Sequence, residues 1–233
     1  MNPEAHSKKV STLFDNIAGW YDFLNHFLSM GQDLYWRKRL VATIRFGSTG
    51  NILDLAAGTL DVSLAIAHQK SAKQIFAVDF SRSMLHKGQQ KIHNAHNIMP
   101  IQGDGRFLPL PDHCVDTVTI AFGIRNILPR TDAYKEILRI LAPGGRLCIL
   151  EFGTGQTQIW KGLYNFYLHW ILPKVGVFFS KDPEAYQYLA DTITAFPQAR
   201  TLAQELLDAG FSKVLYQPLS SGIVYIHIAQ KAG

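Results

Sequence analysis

The sequence predicts an α/β protein built on a mostly parallel, seven-stranded sheet with helices on both faces. Two observations predict this class: short apolar runs alternate with amphipathic stretches from residue 51 onward, and the last two runs lie close together. Strands that alternate with helices pair in parallel through right-handed crossovers. The predicted strands are residues 51–56, 74–79, 98–102, 115–121, 146–152, 211–217 and 222–229.

The connection between the last two predicted strands is only the segment Ser220-Ser221-Gly222. A connection this short favours a β-hairpin, whose two strands are antiparallel. The sheet is therefore expected to carry one antiparallel strand at its edge.

The amphipathic stretches predict helices at residues 60–69, 81–94 and 198–209, and a further helix that begins near Thr131. Ser81 and Thr131 are the predicted N-caps, because a side-chain hydroxyl can accept a hydrogen bond from the first turn of a helix. The segment Pro143-Gly144-Gly145 is expected to end the helix that Thr131 begins.

The chain is expected to form a single domain, residues 1–233, in four parts. A helical N-terminal cap (1–50, with helices at 16–30 and 33–43) precedes the core (51–152). An aromatic-rich lid insertion (153–197) separates that core from a C-terminal helix and hairpin (198–233). The cap and the insertion lie in sequence where they can cover the carboxyl ends of the strands.

Composition narrows the class of protein. The chain has 233 residues, of which 47% are hydrophobic and 18% charged, so a sizeable core can form. Its two cysteines, Cys114 and Cys148, have no metal-ligand spacing, which predicts no metal site and a reducing, cytoplasmic location. The net charge of +5 indicates a solvated basic surface or an anionic partner, and short basic runs give little support to nucleic-acid binding.

The turn after the first predicted strand is a candidate cofactor site. Asp54, Gly58 and Thr59 lie in this turn, and Asp79 ends the second strand. Backbone at a helix N-terminus can approach a ligand closely, and a carboxylate at the second strand accepts ribose hydroxyls in Rossmann-type folds. A helix N-cap is the other interpretation of Asp79.

The cofactor is predicted from what the turn lacks. Its single glycine disfavours NAD or FAD, whose pyrophosphate requires GxGxxG. S-adenosylmethionine carries two cationic groups, which suit Asp54 and Asp61. Asp104 and Gly105, after the third strand, can bind the adenine edge, and Met84 can form an apolar wall or belong to the core.

Several motifs resemble the ubiquinone/menaquinone C-methyltransferase family over residues 10–228. They are Phe14-Asp15-Asn16-Ile17-Ala18 with Tyr21-Asp22, Trp36-Arg37-Lys38, Phe122-Gly123-Ile124-Arg125-Asn126, Leu141-Ala142-Pro143-Gly144-Gly145-Arg146, Leu150-Glu151-Phe152, Leu172-Pro173 with Gly176, and Tyr188-Leu189-Ala190-Asp191-Thr192-Ile193.

This resemblance implies the Rossmann-like fold of class I S-adenosylmethionine-dependent methyltransferases. It also implies C-methylation of a prenylated quinol, either demethylmenaquinol or a ubiquinol precursor. By position in the motifs, the cofactor contacts would be Thr59, Asp79, Asp104 and Gly105. Tyr21 either closes over the methionine moiety or is an aromatic residue on a helix face beside Trp20 and Phe23.

The chain departs from the family's motifs at three positions. Ala57 and Leu60 replace usual glycines, and Leu60 is expected to add bulk near the methionine moiety. Ala121, also at the cofactor, replaces a common serine and so removes one hydrogen bond.

The acceptor side is assigned to Arg125 and Asn126, just after the fourth strand. They are suited to orienting a quinol and stabilising its phenolate. His169 is the candidate general base because its pKa is near neutrality, although a histidine among aromatic residues also fits a structural role.

The aromatic insertion is expected to form a tunnel for a prenyl tail, a membrane-facing patch, a homodimer interface, or a lid packed on the core. Basic residues could meet anionic lipid beside it at the inner face of the cytoplasmic membrane; they are Arg37, Lys38, Arg39, Lys161 and Lys174. The alternative functions are methylation of another small aromatic acceptor or of RNA, S-adenosylmethionine binding without catalysis, and NAD(P)-dependent oxidoreduction.

Overall fold

A seven-stranded mixed sheet forms the centre of the protein in a computed structural model. The structure describes residues 3–17, 26, 29–93, 95–153, 188 and 191–233. The strands are β1 (Asn51–Leu55), β2 (Gln74–Asp79), β3 (Ile98–Gln102), β4 (Val115–Ala121), β5 (Leu141–Phe152), β6 (Lys213–Leu219) and β7 (Val224–Gln230). All seven predicted strands are present, which confirms the predicted α/β class.

We number the helices of the described residues in chain order. They are α1 (Pro3–Ile17), α2 (Gln32–Ala42), α3 (Asp61–Gln69), α4 (Arg82–Gln89), α5 (Arg130–Ile140) and α6 (Ala199–Asp208). Short 3₁₀ turns lie at Ile124–Asn126 and Ser220–Gly222. None of the helices in these ranges is long and apolar enough to cross a membrane.

The strand order is β3-β2-β1-β4-β5-β7-β6, and β1 to β5 are parallel. Because β1 pairs with β2 on one side and with β4 on the other, the chain changes winding direction beside β1. In open α/β sheets the crevice at the carboxyl ends of such strands is where ligands bind. The topology therefore places a binding crevice next to the turn after β1.

The antiparallel strand is β7, and it lies one position in from the edge. It pairs antiparallel with both β5 and β6, so the edge strand β6 is parallel to the rest of the sheet. Burial agrees with this order, since four of the seven residues of β7 are buried, whereas six of the seven residues of β6 are exposed or half-exposed, on both faces. The predicted hairpin is confirmed, but the antiparallel strand is not at the edge.

Two apolar clusters cover the faces of the sheet. One joins β4 and β5 to α5 and α6 around Tyr134, and the other joins β1 and β2 to α2 and α3 around Leu60. Every residue of β4 from Val115 to Ile120 is buried. A near-continuous buried run is typical of a central parallel strand covered on both faces.

Three element boundaries differ from the predictions. Helix α5 begins at Arg130 after Pro129, so the predicted cap at Thr131 is wrong. Strand β5 already begins at Leu141, because Leu141 pairs with Val115 before a register shift, and the predicted turn lies within the strand. Helix α4 ends at Gln89 rather than near residue 94, but its predicted cap is confirmed, since Ser81 Oγ accepts from Met84 N at 3.1 Å.

The N-terminal region contains a helix that the sequence did not predict, α1. Its apolar residues Val10, Leu13, Phe14 and Ile17 recur at helical spacing, but the predicted helix began only at residue 16. The predicted helix at 33–43 is confirmed as α2, whereas most of the predicted helix at 16–30 lies outside the described residues.

Candidate active site

A cleft opens at the carboxyl ends of β1, β2 and β4, with an empty volume of about 710 Å³ that includes its open mouth. The lining residues come from the loops after four strands and from α1 and α4; they are Val10, Phe14, Leu55, Ala56, Gly58, Asp79, Phe80, Met84, Gly103, Asp104, Gly105, Ala121, Phe122, Gly123, Asn126 and Ile127.

The turn after β1 forms the floor of the cleft through an unusual backbone. Ala56, Gly58 and Leu60 have φ values of 56°, 53° and 66°, in the left-handed region that favours glycine. Ala57 does not adopt a positive φ, so alanine is accepted there without strain. The turn thus carries backbone strain at Ala56 and Leu60.

Leu60 points away from the cleft. Its side chain is fully buried and packs against Gly88 of α4, where an added Cβ would overlap it. The expectation that Leu60 adds bulk near the methionine moiety is therefore wrong. The bulk goes into the apolar cluster between α3 and α4, and the absence of a side chain at Gly88 provides the space.

Asp79 lies at the end of β2 on the wall of the cleft. Its two carboxylate oxygens each accept one backbone N–H, from Gly58 at 2.8 Å and from Ser81 at 2.8 Å. Burial raises the pKa of Asp79, against the effect of these N–H groups. Each oxygen keeps a second lone pair, so the carboxylate can still accept hydroxyl groups from a ligand.

Asp104 and Gly105 line the cleft beside Asp79, in the loop after β3, where the Gly103 N–H donates to the Asp79 carbonyl at 3.0 Å. Arg106 holds the Asp104 carboxylate, with 2.6 Å between Arg106 Nη2 and Asp104 Oδ2. Burial raises the pKa of Asp104, but the hydrogen bonds from Arg106 outweigh it and the net shift is downward. At Gly105 an added Cβ would lie 3.0 Å from Ile127 Cδ1, so glycine keeps this wall thin.

Asp54 and Thr59 lie beneath the cleft rather than on its surface, and they are 1% and 2% exposed. Asp54 accepts hydrogen bonds from Ser63 Oγ at 2.6 Å and Thr119 Oγ1 at 3.0 Å. Burial raises the pKa of Asp54 to about 6. The structure therefore places Asp54 as a link between β1, β4 and α3, which contributes charge to the site but no direct contact.

Asn126 lines the other end of the cleft, after β4, together with Ala121, Phe122 and Ile127. The Tyr188 hydroxyl donates to Asn126 Oδ1 at 3.1 Å. Because the Asn126 carbonyl is engaged in this bond, its amide nitrogen is the group left to donate to a bound molecule. Tyr188 belongs to one of the motifs in the sequence, but no role was predicted for it.

Arg125 does not line the cleft. Its Nη1 donates to Glu151 Oε1 at 2.7 Å and to the Phe122 carbonyl, and both charged side chains are buried. Burial raises the pKa of Glu151, although the Arg125 charge opposes this. Within the described residues, Glu151 Oε2 and Arg125 Nε have no hydrogen-bond partner. Arg125 thus shapes the loop after β4 through the cleft residue Phe122.

Aromatic side chains pack together beside the end of the cleft that lies after β4. Trp36 of α2, Phe122 and Phe152 form a cluster with ring centroids 4.6 to 6.5 Å apart, and Arg125 lies 5.5 Å from the Phe152 ring centroid. At the other end, Phe14 and Phe80 line the cleft. Phe14 and Trp36 both belong to motifs in the sequence, but their places near opposite ends of the cleft depend on how α1 and α2 pack on the rest of the protein.

Two predicted site residues, Tyr21 and His169, lie outside the described residues, as does most of the insertion 153–197. Among the residues that are described, no group of His, Cys, Asp or Glu side chains could hold a metal ion.

Comparisons with known proteins agree with this architecture. A sequence model described as the ubiE/COQ5 methyltransferase family matches residues 2–231. The chain is 39% identical over 224 residues to a demethylmenaquinone methyltransferase of Mycobacterium marinum, covering 96% of this chain and 94% of that protein. It is 40% identical to the ubiquinone/menaquinone biosynthesis C-methyltransferase of Geotalea daltonii, covering 96% and 97%.

A solved structure of an S-adenosylmethionine-dependent methyltransferase from Thermotoga maritima superimposes with a TM-score of 0.68, covering 94% of this chain and 98% of that chain. At 14% identity this likeness concerns the fold alone. The fold, the cleft beside β1 and the match over nearly the whole sequence agree, and the chain belongs to the ubiE/COQ5 methyltransferase family.

Proposed function

We propose that this protein methylates a ring carbon of a prenylated quinol, with demethylmenaquinol or a ubiquinol precursor as acceptor and S-adenosylmethionine as donor. The observation that carries the proposal is the cleft itself, which joins a carboxylate at β2 to an aromatic, amide-bearing end at β4. Family membership and the names of the relatives support the same reaction.

The cleft residues fit the donor. Asp79 has lone pairs available for the two ribose hydroxyls, and Phe14, Phe80 and Met84 offer apolar surface to the adenine. Leu60 leaves the methionine end open because its side chain turns toward Gly88. When bound, S-adenosylmethionine supplies an electrophilic methyl group on a sulfonium.

The acceptor reacts at the carbon beside a ring hydroxyl. Once that hydroxyl loses its proton, the ring carbon forms a bond to the methyl carbon as the sulfur–carbon bond breaks. The ring then loses a proton and regains aromaticity. Positioning and exclusion of water by the cleft account for much of the acceleration of such a step.

Asn126 is the residue we assign to the phenolate. Its amide N–H₂ can donate to the negative oxygen, since Tyr188 fixes the carbonyl oxygen on the other side. Arg125 acts indirectly. Glu151 neutralises its charge, and its guanidinium donates to the backbone carbonyl of the cleft residue Phe122 and so positions that residue. His169 remains our candidate for the general base.

A prenylated acceptor resides in a bilayer, so we also propose that the protein works in the cytoplasm, at the inner face of the cytoplasmic membrane. The aromatic cluster of Trp36, Phe122 and Phe152 provides apolar surface beside the cleft.

The test is transfer of labelled methyl from S-adenosylmethionine to a reduced, short-tailed demethylmenaquinone in solution, with a ubiquinol precursor run in parallel. We expect product on at least one ring, and the ratio identifies the pathway. Asp79→Ala should lower the transfer, whereas Asp208→Ala, which changes an exposed carboxylate at the end of α6, should not. Tight binding of S-adenosylhomocysteine without product on either ring would refute the proposed acceptor.

A further inference from the structure

Helix α2 has an outer face that combines apolar and basic side chains. The face consists of every residue of α2 that is exposed, and its members are Leu34, Tyr35, Lys38, Arg39 and Ala42. Leu34 is 60% exposed and Tyr35 50%. These positions recur at the spacing of one side of a helix about 16 Å long. We call this surface the outer face of α2.

The residues on either side of α2 are also exposed and apolar or basic. Met30, just before α2, is 83% exposed, and Phe46, just after it, is 40% exposed beside the exposed Arg45. Single exposed apolar residues are ordinary, but a contiguous series along one helix and both its ends marks an interaction surface.

The charges on this face have one sign. The acidic residue of α2, Asp33, is buried, and its carboxylate lies 3.3 Å from Arg37 Nη1. Arg37 is also turned inward, with Nη1 2.7 Å from Asp61 Oδ2. Of the cluster Arg37-Lys38-Arg39, therefore, only Lys38 and Arg39 face solvent, and within the described part of the chain neither has a carboxylate partner.

The inner side of α2 holds the helix firmly in place. Trp36 Nε1 donates to Ser220 Oγ at 2.8 Å, and the Trp36 ring packs 6.1 Å from the ring of Phe122, which lines the cleft. The helix that presents the outer face to solvent thus packs, through Trp36, directly behind a residue that lines the β4 end of the cleft.

We propose that the outer face of α2 docks on the surface of an anionic lipid bilayer. Lysine and arginine side chains meet anionic headgroups while leucine, tyrosine and methionine enter the interfacial layer, which is how interfacial helices bind membranes. A symmetric contact between two copies through this face would oppose Lys38 and Arg39 to each other, so charge disfavours a dimer here. A nucleic acid would match the cations but leave the apolar residues unexplained.

This inference rests on the proposed function, because a prenylated acceptor is what brings the protein to a bilayer. It brings the end of the cleft at Phe122, which packs against Trp36, near the lipid surface, so that the acceptor need not cross bulk water.

The experiment is flotation of the full-length protein with vesicles of phosphatidylcholine alone and with added phosphatidylglycerol. We expect binding to the anionic vesicles that falls as salt rises. The double variant Lys38→Glu with Arg39→Glu should bind roughly 30-fold more weakly, from about a fivefold effect for each cation lost. Leu34→Ser with Tyr35→Ser should also weaken binding.

The matched control is Lys135→Glu with Lys213→Glu, which changes the net charge equally at exposed positions on α5 and β6. It should bind like the unchanged protein. Methyl transfer to the short-tailed quinol in solution should be unaffected in all of these variants, whereas transfer to a long-tailed quinol in anionic vesicles should fall only in the α2 variants.

Equal loss of binding in the control and the α2 variants would overturn the proposal, because net charge would then suffice. Absence of binding to anionic vesicles, with full activity on the short-tailed quinol, would overturn the docking surface and leave the proposed function standing. Dissociation of a dimer by the α2 variants would assign the face to a second copy instead.

Discussion

Removing the cation from the buried pair Arg125–Glu151 should destabilise the fold strongly. Within the described part of the chain, Arg125→Ala leaves the buried Glu151 carboxylate with backbone N–H donors alone, among them that of Phe152 at 3.0 Å from Oε1. Breaking a buried ion pair in this way costs about 3–5 kcal/mol. Loss of the guanidinium over the Phe152 ring adds about 0.5–2 kcal/mol. We therefore expect the free energy of unfolding to fall by about 4–7 kcal/mol at pH 8.

The loss should shrink in acid. Burial already raises the pKa of Glu151, and without Arg125 the pKa rises further, so the folded variant favours the protonated carboxyl. A group whose pKa is raised by folding contributes stability that is present at low pH and lost as pH rises through the folded pKa. The variant should therefore lose much less stability at pH 5 than at pH 8.

The assay is urea unfolding at both pH values, followed by circular dichroism. Replacing both partners by apolar side chains, Arg125→Met with Glu151→Leu, should recover much of the loss, because no buried charge is then left alone. A loss below about 1 kcal/mol for Arg125→Ala, or a loss that does not change with pH, would refute the reasoning.

Three further predictions follow from the cleft and its floor. Asp79→Ala should weaken S-adenosylhomocysteine binding, measured by titration calorimetry, by about 1–3 kcal/mol, and unchanged affinity would remove Asp79 from the cofactor site. Gly88→Ala should lower the free energy of unfolding by about 1–3 kcal/mol because the new Cβ overlaps Leu60, and an unchanged free energy of unfolding would contradict this packing. Asp54, whose pKa is raised to about 6, should contribute stability that is present below about pH 4 and lost as pH rises through 6, so Asp54→Asn should flatten the stability profile over that interval. A profile as steep as that of the unchanged protein would assign the titration to another group.

The sequence by itself determined the sheet, because each strand is a local property of the chain. Runs such as residues 115–121 are apolar enough to be buried on both faces, and the turns between them are short. The site could be located for the same reason. Asp79 ends β2 and Asn126 lies shortly after β4, and the carboxyl ends of these parallel strands lie at the same edge of the sheet. Helix α1 was not predicted, although its apolar residues recur at helical spacing. That Val10 and Phe14 of this helix line the cleft depends on how the helix packs.

Only the tertiary structure decided which of the predicted residues face the cleft. Asp54 and Arg125 are charged and lie in the right segments, but side-chain direction puts both beneath the surface, where Ser63, Thr119 and Glu151 satisfy them. The direction of the Leu60 side chain depends on the space at Gly88. Arg37 turns inward because it pairs with Asp61, and this leaves Lys38 on the exposed side of the helix. These outcomes rest on contacts between residues far apart in the chain, so no local pattern carries them.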